Sequence, residues 1–282
     1  MKYIKLFETA AQRNAAVLNT PYLVYTKETG VLEVMDVQPI EKATNPEFMA
    51  LCYAKGWAAN EDYMTKEECA AVTDAMFASL TKAQLRPVKS LEELKYFTGL
   101  TVLPDYGMFD ENSQIEVVHF PPQMTSYATT STNGVFSNCP YLRKVVFPDN
   151  LSSINVRCTT FNRCFQLKHI DLSNTKITNL CNKFSYNSDL ISISLPATIT
   201  SATSNDIIFS SANAGYSWVR LFRTSPMDHH VQNRCNSNTR FYVPDESVND
   251  YKQSSIYSVY ASKIFPMSQW QEDLDNGIIT FV

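Results

Sequence analysis

The sequence predicts an α+β chain in which a solenoid of short parallel strands follows a small α+β N-terminal unit and a pair of helices. Three observations carry that expectation. A block Phe-x-x-(Cys/Asn)-x-x-(Leu/Ile)-x-x-(Ile/Val)-x-(Leu/Phe) starts at Phe109, Phe136, Phe161 and Phe184, in steps of 27, 25 and 23 residues, and Phe209 follows after another 25. Within the blocks, "LRKVVF" (142–147), "LKHIDL" (167–172) and "LISISL" (190–195) alternate apolar with other residues, as a strand that buries one face must. A period in the twenties is the length of one solenoid coil, which holds a short strand, a turn, a second segment and a return turn.

Residues 1–40 read as the N-terminal unit, with "YIKLF" (3–7), "PYLVYT" (21–26) and "GVLEVM" (30–35) as strands and a helix near Thr9–Val17. Residues 41–89 read as the helical pair. The first helix opens at Asn45-Pro46, carries Phe48, Leu51 and Cys52 at helical spacing, and stops at Lys55-Gly56. The second starts at Thr65, with Glu68 in capping-box register, and continues through Val72, Ala75, Met76 and Ser79. The loop between them, "WAANEDYMTKEE" (57–68), resembles a degenerate EF-hand or dockerin-like loop. Trp57 and Ala59 stand in the first and third ligand slots, and Asp62 stands where the sharp turn needs Gly. Glu61 and Glu68 are too few oxygen ligands for useful calcium affinity, so the expectation is a metal-free packing pair.

Residues 90–240 hold the repeats. Their opening, "SLEELKYFTGLTVLP" (90–104), offers Ser90 and Glu93 as a capping box and Leu91, Leu94 and Phe97 as an apolar stripe. The fourth position of each block is Asn112, Cys139, Cys164 and Asn187, all small and able to hydrogen-bond backbone in the turn that leads into the strand. A metal or redox pair at Cys139 and Cys164 is the sharper alternative, but Asn fills the same slot in neighbouring coils, so these four residues read as a structural ladder. "HFPP" (119–122), "VFPDN" (146–150) and "SLPAT" (194–198) end their strands with Pro, and "DLSNT" (171–175) substitutes Ser-Asn. Residues 241–282 read as a C-terminal cap: a strand, Pro244, a short helix with Val248 and Tyr251, and "YASKIFPMS" hide the last open apolar face.

These blocks closely resemble the BspA-like leucine-rich repeats of gut bacteria and their phages, over about residues 90–265, and both flanks are similar to that family's opening segment and cap. Residues 1–40 resemble, less specifically, N-terminal segments of head-fibre or tail-associated virion proteins of phages that infect gut bacteria. The resemblance implies a non-enzymatic virion structural or adhesion protein. Its N-terminal unit would dock on other virion proteins, and its repeats would project toward a host surface glycan or protein. The alternative it implies is a bacterial cell-surface leucine-rich-repeat adhesin expressed without its export signal. The implied location is the virion, after synthesis in the host cytoplasm, or in the alternative the bacterial surface. A homo-oligomer such as a trimeric fibre is compatible with this reading, although no sustained a/d pattern appears.

Composition narrows the classes further. The 282 residues, 44% of them apolar, suffice for a substantial core. A net charge of −4 with no run of Lys or Arg longer than two argues against nucleic acid. The opening Met1-Lys2-Tyr3-Ile4-Lys5-Leu6 lacks a secretory signal's apolar core, and no window approaches 18 consecutive apolar residues, so membrane insertion is not expected. Seven scattered cysteines with no Cys-x-x-Cys read as buried small hydrophobes.

No two glycines lie within five residues of each other, and neither His-Glu-x-x-His nor Gly-x-Ser-x-Gly occurs. "MDHH" (227–230) with Cys235 reads as a solvated loop rather than a zinc site. His119 and His169 fall at different places in their blocks, so they need not stack. The expectation is therefore no catalytic constellation, no metal and no cofactor. Candidate binding residues are Lys144, Val146, His169, Asp171, Ser192 and Ser194 on the outward strand face, with Tyr127, Tyr216 and Trp218 in Ser/Thr/Asn-rich loops between coils.

Overall fold

The computed structural model describes residues 4–7, 22–26, 31–35, 45–103, 109, 114–127, 136–152, 161, 163–178, 189–200, 217–227, 238–279 and 281. The chain divides into two units, Met1–Ala43 and Thr44–Val282. In the first, β1 (Ile4–Phe7), β2 (Tyr22–Thr26) and β3 (Val31–Met35) form a sheet in that order. β2 and β3 are antiparallel, with Tyr22 opposite Met35 and Thr26 opposite Val31. β1 runs parallel to β2, with Ile4 beside Leu23. A parallel pair needs a crossover. Residues 8–21, which include the helix expected near Thr9–Val17, lie outside the described residues.

The second unit opens with helix α1 (Pro46–Ala54), where Asn45 Oδ1 accepts from Phe48 N at 2.6 Å and Pro46 occupies the first turn. Gly56, at φ +71°, lets the chain turn away after the helix. The single helix expected from Thr65 to Ser79 is in fact two, α2 (Lys66–Ala71) and α3 (Asp74–Ala78), followed by α4 (Lys82–Leu85). Val72 is extended (φ −73°, ψ 119°), and the Thr73 hydroxyl caps α3 by accepting from Met76 N. A tertiary contact favours this break. The carbonyls of Ala70 and Val72 lie against Gly99, where a Cβ would collide with both. In the loop 57–68, Glu68 closes the expected capping box with Thr65, and its other oxygen accepts from Ala59 N at 2.8 Å. Trp57 and Met64 are buried there, and Trp57 stacks on Phe77.

The ladder follows: β4 (Ser90–Leu91), β5 (Val102–Leu103), β6 (Val117–His119), β7 (Ser126–Tyr127), β8 (Lys144–Val146), β9 (His169–Asp171), β10 (Ser192–Leu195), β11 (Trp218–Leu221), β12 (Arg240–Val243) and β13 (Ile264–Pro266). One parallel sheet has the order β4-β6-β8, another β13-β12-β11-β10-β9, and β5 pairs with β7 separately. The Ser90 hydroxyl accepts from Glu92 N at 3.2 Å as the chain enters the next turn. Ser90 is committed to the ladder beside Val117, the next turn (Glu92–Tyr96) is a 3₁₀ helix without a side-chain cap, and the Glu93 carboxylate accepts from Asn45 N.

One inward column runs through the register: Leu91, Val118 and Val145 in the first sheet, then Ile170, Ile193, Val219, Phe241 and Ile264 in the second. All eight are buried. Ahead of the strands, Phe109, Phe136 and Phe161 stack with centroids 5.0 and 5.7 Å apart and rings within 1° of parallel. Two residues after the Phe, Asn138 (φ 57°) and Arg163 (φ 58°) take the left-handed conformation. That turn aims the next side chain inward. Cys139 Sγ donates to Phe109 O at 2.9 Å and Cys164 Sγ to Phe136 O at 3.2 Å, so each thiol ties its coil to the one before.

After the strands, N–H groups three residues on bond back to Pro121, Pro148, Leu172 and Pro196. The turn geometry is thus shared by the coil that lacks Pro. Helix α5 (Val248–Gln253) carries the buried Tyr251, and the buried Tyr257 stands just ahead of a 3₁₀ turn (Ser258–Lys263), the two rings 5.1 Å apart. Helix α6 (Gln269–Asp275) follows β13.

Candidate binding face

Alternate residues of each strand point away from the inward column. The register sorts them into two outward columns. One contains Ser90, Val117 and Lys144, then His169, Ser192, Trp218 and Arg240; the other contains His119 and Val146, then Asp171, Ser194, Arg220, Tyr242 and Phe265. In the N-terminal part Ser90 and Val117 are buried, and the face opens toward β8. Lys144 and Asp171 are exposed, Val146 and His119 half-buried, and Lys144 pairs with Glu92 at 3.9 Å. Tyr141 and Phe165, in the turns before β8 and β9, are 51% and 43% exposed.

In the C-terminal part the same face is covered by the chain itself. The Asp273 carboxylate of α6 accepts from Arg240 Nη1 at 2.6 Å and from the Tyr242 hydroxyl at 2.5 Å, and it is buried. The Arg220 guanidinium sits 4.3 Å from the Trp270 ring, donates from Nε to Ser194 Oγ, and reaches Asp171 at 3.2 Å. Ile279 joins Trp218 and Tyr242 in an apolar cluster, and Phe281 packs on Trp218 and His169. His169 Nε2 meets Phe281 O and its Nδ1 meets Ser192 Oγ, each at 2.8 Å.

This cover corrects part of the expected site. Ser192 and Ser194 belong to the outward columns but are buried, because His169, Arg220 and the C-terminal segment lie over them. Trp218 is not a loop residue; it starts β11 and is buried under Trp270, Ile279 and Phe281. Tyr127 lies in β7, beside Leu103, away from the outward columns. Lys144 and Val146 lie in the outward columns of the first sheet, and His169 and Asp171 in those of the second. Cys139 and Cys164 are buried at their shared slot, whereas Asn112, Asn187 and Tyr216 lie outside the described residues. So do residues 228–230 and Cys235.

The residues that sequence reasoning missed are Arg220, Arg240, Tyr242, Trp270 and Asp273. A signal existed: "WVRL" (218–221) and "RFYV" (240–243) continue the strand alternation for two more coils.

The electrostatics separate the two parts. Burial holds His119 below the ordinary histidine range, aided by Lys95 and Lys144 and opposed by Glu92. Burial also lowers His169, against the hydrogen bond of Phe281 O. Burial, with the Asp273 carboxylate beside it, holds the Tyr242 hydroxyl well above the ordinary tyrosine range. Burial pushes the Cys164 thiol up to about 12, so it is a neutral donor and not a nucleophile. Among the described residues no three His, Cys, Asp or Glu side chains gather to hold a metal ion, and no helix is long and apolar enough to cross a membrane.

Residues 77–158 and 105–214 match the family model described as BspA type Leucine rich repeat region, in six copies. No curated protein matches the chain. The match supports the family resemblance of the blocks, and mixed helix and parallel strand fits an α+β repeat fold. Repeats of this kind suggest a protein-binding or adhesion role and belong to a family that is generally non-enzymatic.

Proposed function

We propose, from the premise that residues 77–214 carry BspA-type leucine-rich repeats, that this chain is a non-enzymatic phage virion protein that presents its outward strand face to a protein or glycan on the host surface. The observation that carries the binding reading is the open part of that face. Lys144 of β8 and Asp171 of β9 stand exposed on successive coils, at the facing ends of two hydrogen-bonded sheets, and the turns that lead into those strands expose Tyr141 and Phe165. Fixed backbone with exposed polar and aromatic side chains lowers the ordering cost of binding. The virion assignment draws on the likeness of residues 1–40 to N-terminal segments of phage particle proteins, and the small sheet β1-β2-β3 is the unit that would dock on the particle.

The test is mass spectrometry of purified virions from an infected or induced culture, with the host envelope fraction run in parallel. The expected result is this chain at stoichiometric copy number in the particle. Finding it in the envelope fraction alone would replace the virion reading with a bacterial surface adhesin that uses the same face.

A further inference from the structure

We propose that the outward face of β10–β12 is a docking surface for a short acidic, aromatic protein segment, and that residues 268–279 together with Phe281 occupy it in cis. The inference rests on the outward face being the binding face. The end of the ladder is closed by α5 and the 3₁₀ turn with buried Tyr251 and Tyr257, and β13 pairs with β12 as the last strand. The following segment packs on β13 and also reaches back over the strands before it. It meets Arg240 and Tyr242 of β12 through Asp273, Trp218 and Arg220 of β11 through Trp270, and His169 of β9 through Phe281.

The covered surface has the composition of a recognition patch. Trp, Tyr and Arg dominate the energetics of protein interfaces, and here Trp218, Tyr242, Arg220 and Arg240 occupy adjacent outward positions. The occupant shows what the patch accepts. Trp270 and Asp273 are three residues apart on α6, so one helix face supplies a ring for Arg220 and a carboxylate for Arg240 and Tyr242, and Ile279 then fills the gap between Trp218 and Tyr242. A partner segment with an aromatic residue three positions ahead of Asp or Glu, followed by an aliphatic residue, has the chemistry to take its place. A tethered segment competes at an effective concentration near the millimolar range, so the intact chain binds such a partner weakly.

The experiment titrates a fluorescein-labelled peptide of residues 267–282 into the full-length chain and into full-length Asp273→Asn, read by fluorescence anisotropy. The substitution keeps the shape of α6 and removes the charge that faces Arg240. The expected result is peptide binding at least tenfold tighter to Asp273→Asn than to the unaltered chain, with loss of that gain when the peptide carries the same substitution. Equal affinity for both chains overturns the proposal. An Asp273→Asn chain that dimerises by exchanging its C-terminal segment overturns the assignment to a partner and makes a second copy the occupant.

Should Asp273→Asn fail to fold, native hydrogen exchange of the unaltered chain decides. The amides of Asn276, Gly277 and Ile278 bond within the segment and should exchange at least tenfold faster than those of Val219 and Phe241. Equal protection overturns the proposal, because the segment then opens only with the ladder. Partner capture that depends on Lys144 and Asp171, without peptide binding, removes this inference and leaves the binding face standing.

Discussion

The ladder's two sheets share one inward column but treat their outward columns oppositely. In β4-β6-β8 the outward residues Lys144, His119 and Val146 are open to solvent or half-open while Ser90 and Val117 are buried, and the coils are tied behind the strands by stacked Phe rings and cysteine thiols. In β9–β13 the outward residues from β10 onward are Trp218, Arg220, Arg240 and Tyr242 under the chain's own C-terminal segment. The difference teaches where each part keeps its specificity. The first is stabilised behind its strands and leaves the β8 end of the face free; the second uses the face itself as part of its packing.

The largest expected effect breaks the first part. Phe136→Ala removes the central ring of the stack, which also receives the edge of Phe120, and should cost about 3–5 kcal/mol in urea unfolding. Arg240→Ala strikes the second part by leaving the Asp273 carboxylate buried without its cation, at a cost of about 2–4 kcal/mol. Exchange protection should fall first in residues 269–279, with the amides of Val118 and Val145 unchanged.

Cys164→Ala deletes one thiol tie and should cost about 1–2 kcal/mol, whereas Cys164→Asn should recover most of it if the slot accepts either donor; thermal unfolding of both variants compares them.

Asp74 gives a smaller, pH-dependent effect. Burial pushes its carboxyl up, but the hydrogen bonds from the Thr101 hydroxyl and the Val102 and Thr101 amides outweigh that and hold it below its ordinary value. Its contribution is therefore present above the unfolded carboxylate range, near pH 4, and is lost as pH falls through the lowered folded value. Asp74→Asn should flatten the acid limb of a stability-against-pH curve. The smallest effect on folding belongs to Lys144→Ala, within about 0.5 kcal/mol of the unaltered chain in urea unfolding, while retention on host cells falls.

Much of the inward architecture was legible, because periodicity reports burial. Ile170, Ile193 and Leu195 announce their side of the strand by alternation, and the shared slot of Cys139 and Cys164 announces a common turn. The break at Val72 was harder to see. Val72, Ala75 and Met76 keep helical spacing across it, and only Thr73-Asp74, a cap-like pair, hinted at a restart, while the contact with Gly99 is remote in sequence. The outward face was legible for Lys144 and Asp171 and not for Ser192 and Ser194. Their burial depends on Arg220 and on a segment that follows β13, and no local pattern records contacts at that range.

The turn from Phe136 through Asn138 to Cys139, repeated from Phe161 through Arg163 to Cys164, has a consequence for how such a molecule changes over generations. The anchor keeps ring stacking and the thiol tie constant although the coils between anchors differ in length. Each anchor is thus a standard joint between parts of unequal size. Duplicating or deleting the stretch from one joint to the next lengthens or shortens the molecule by a whole coil without altering the joints on either side, so its reach can be inherited as a number of copies rather than rebuilt residue by residue.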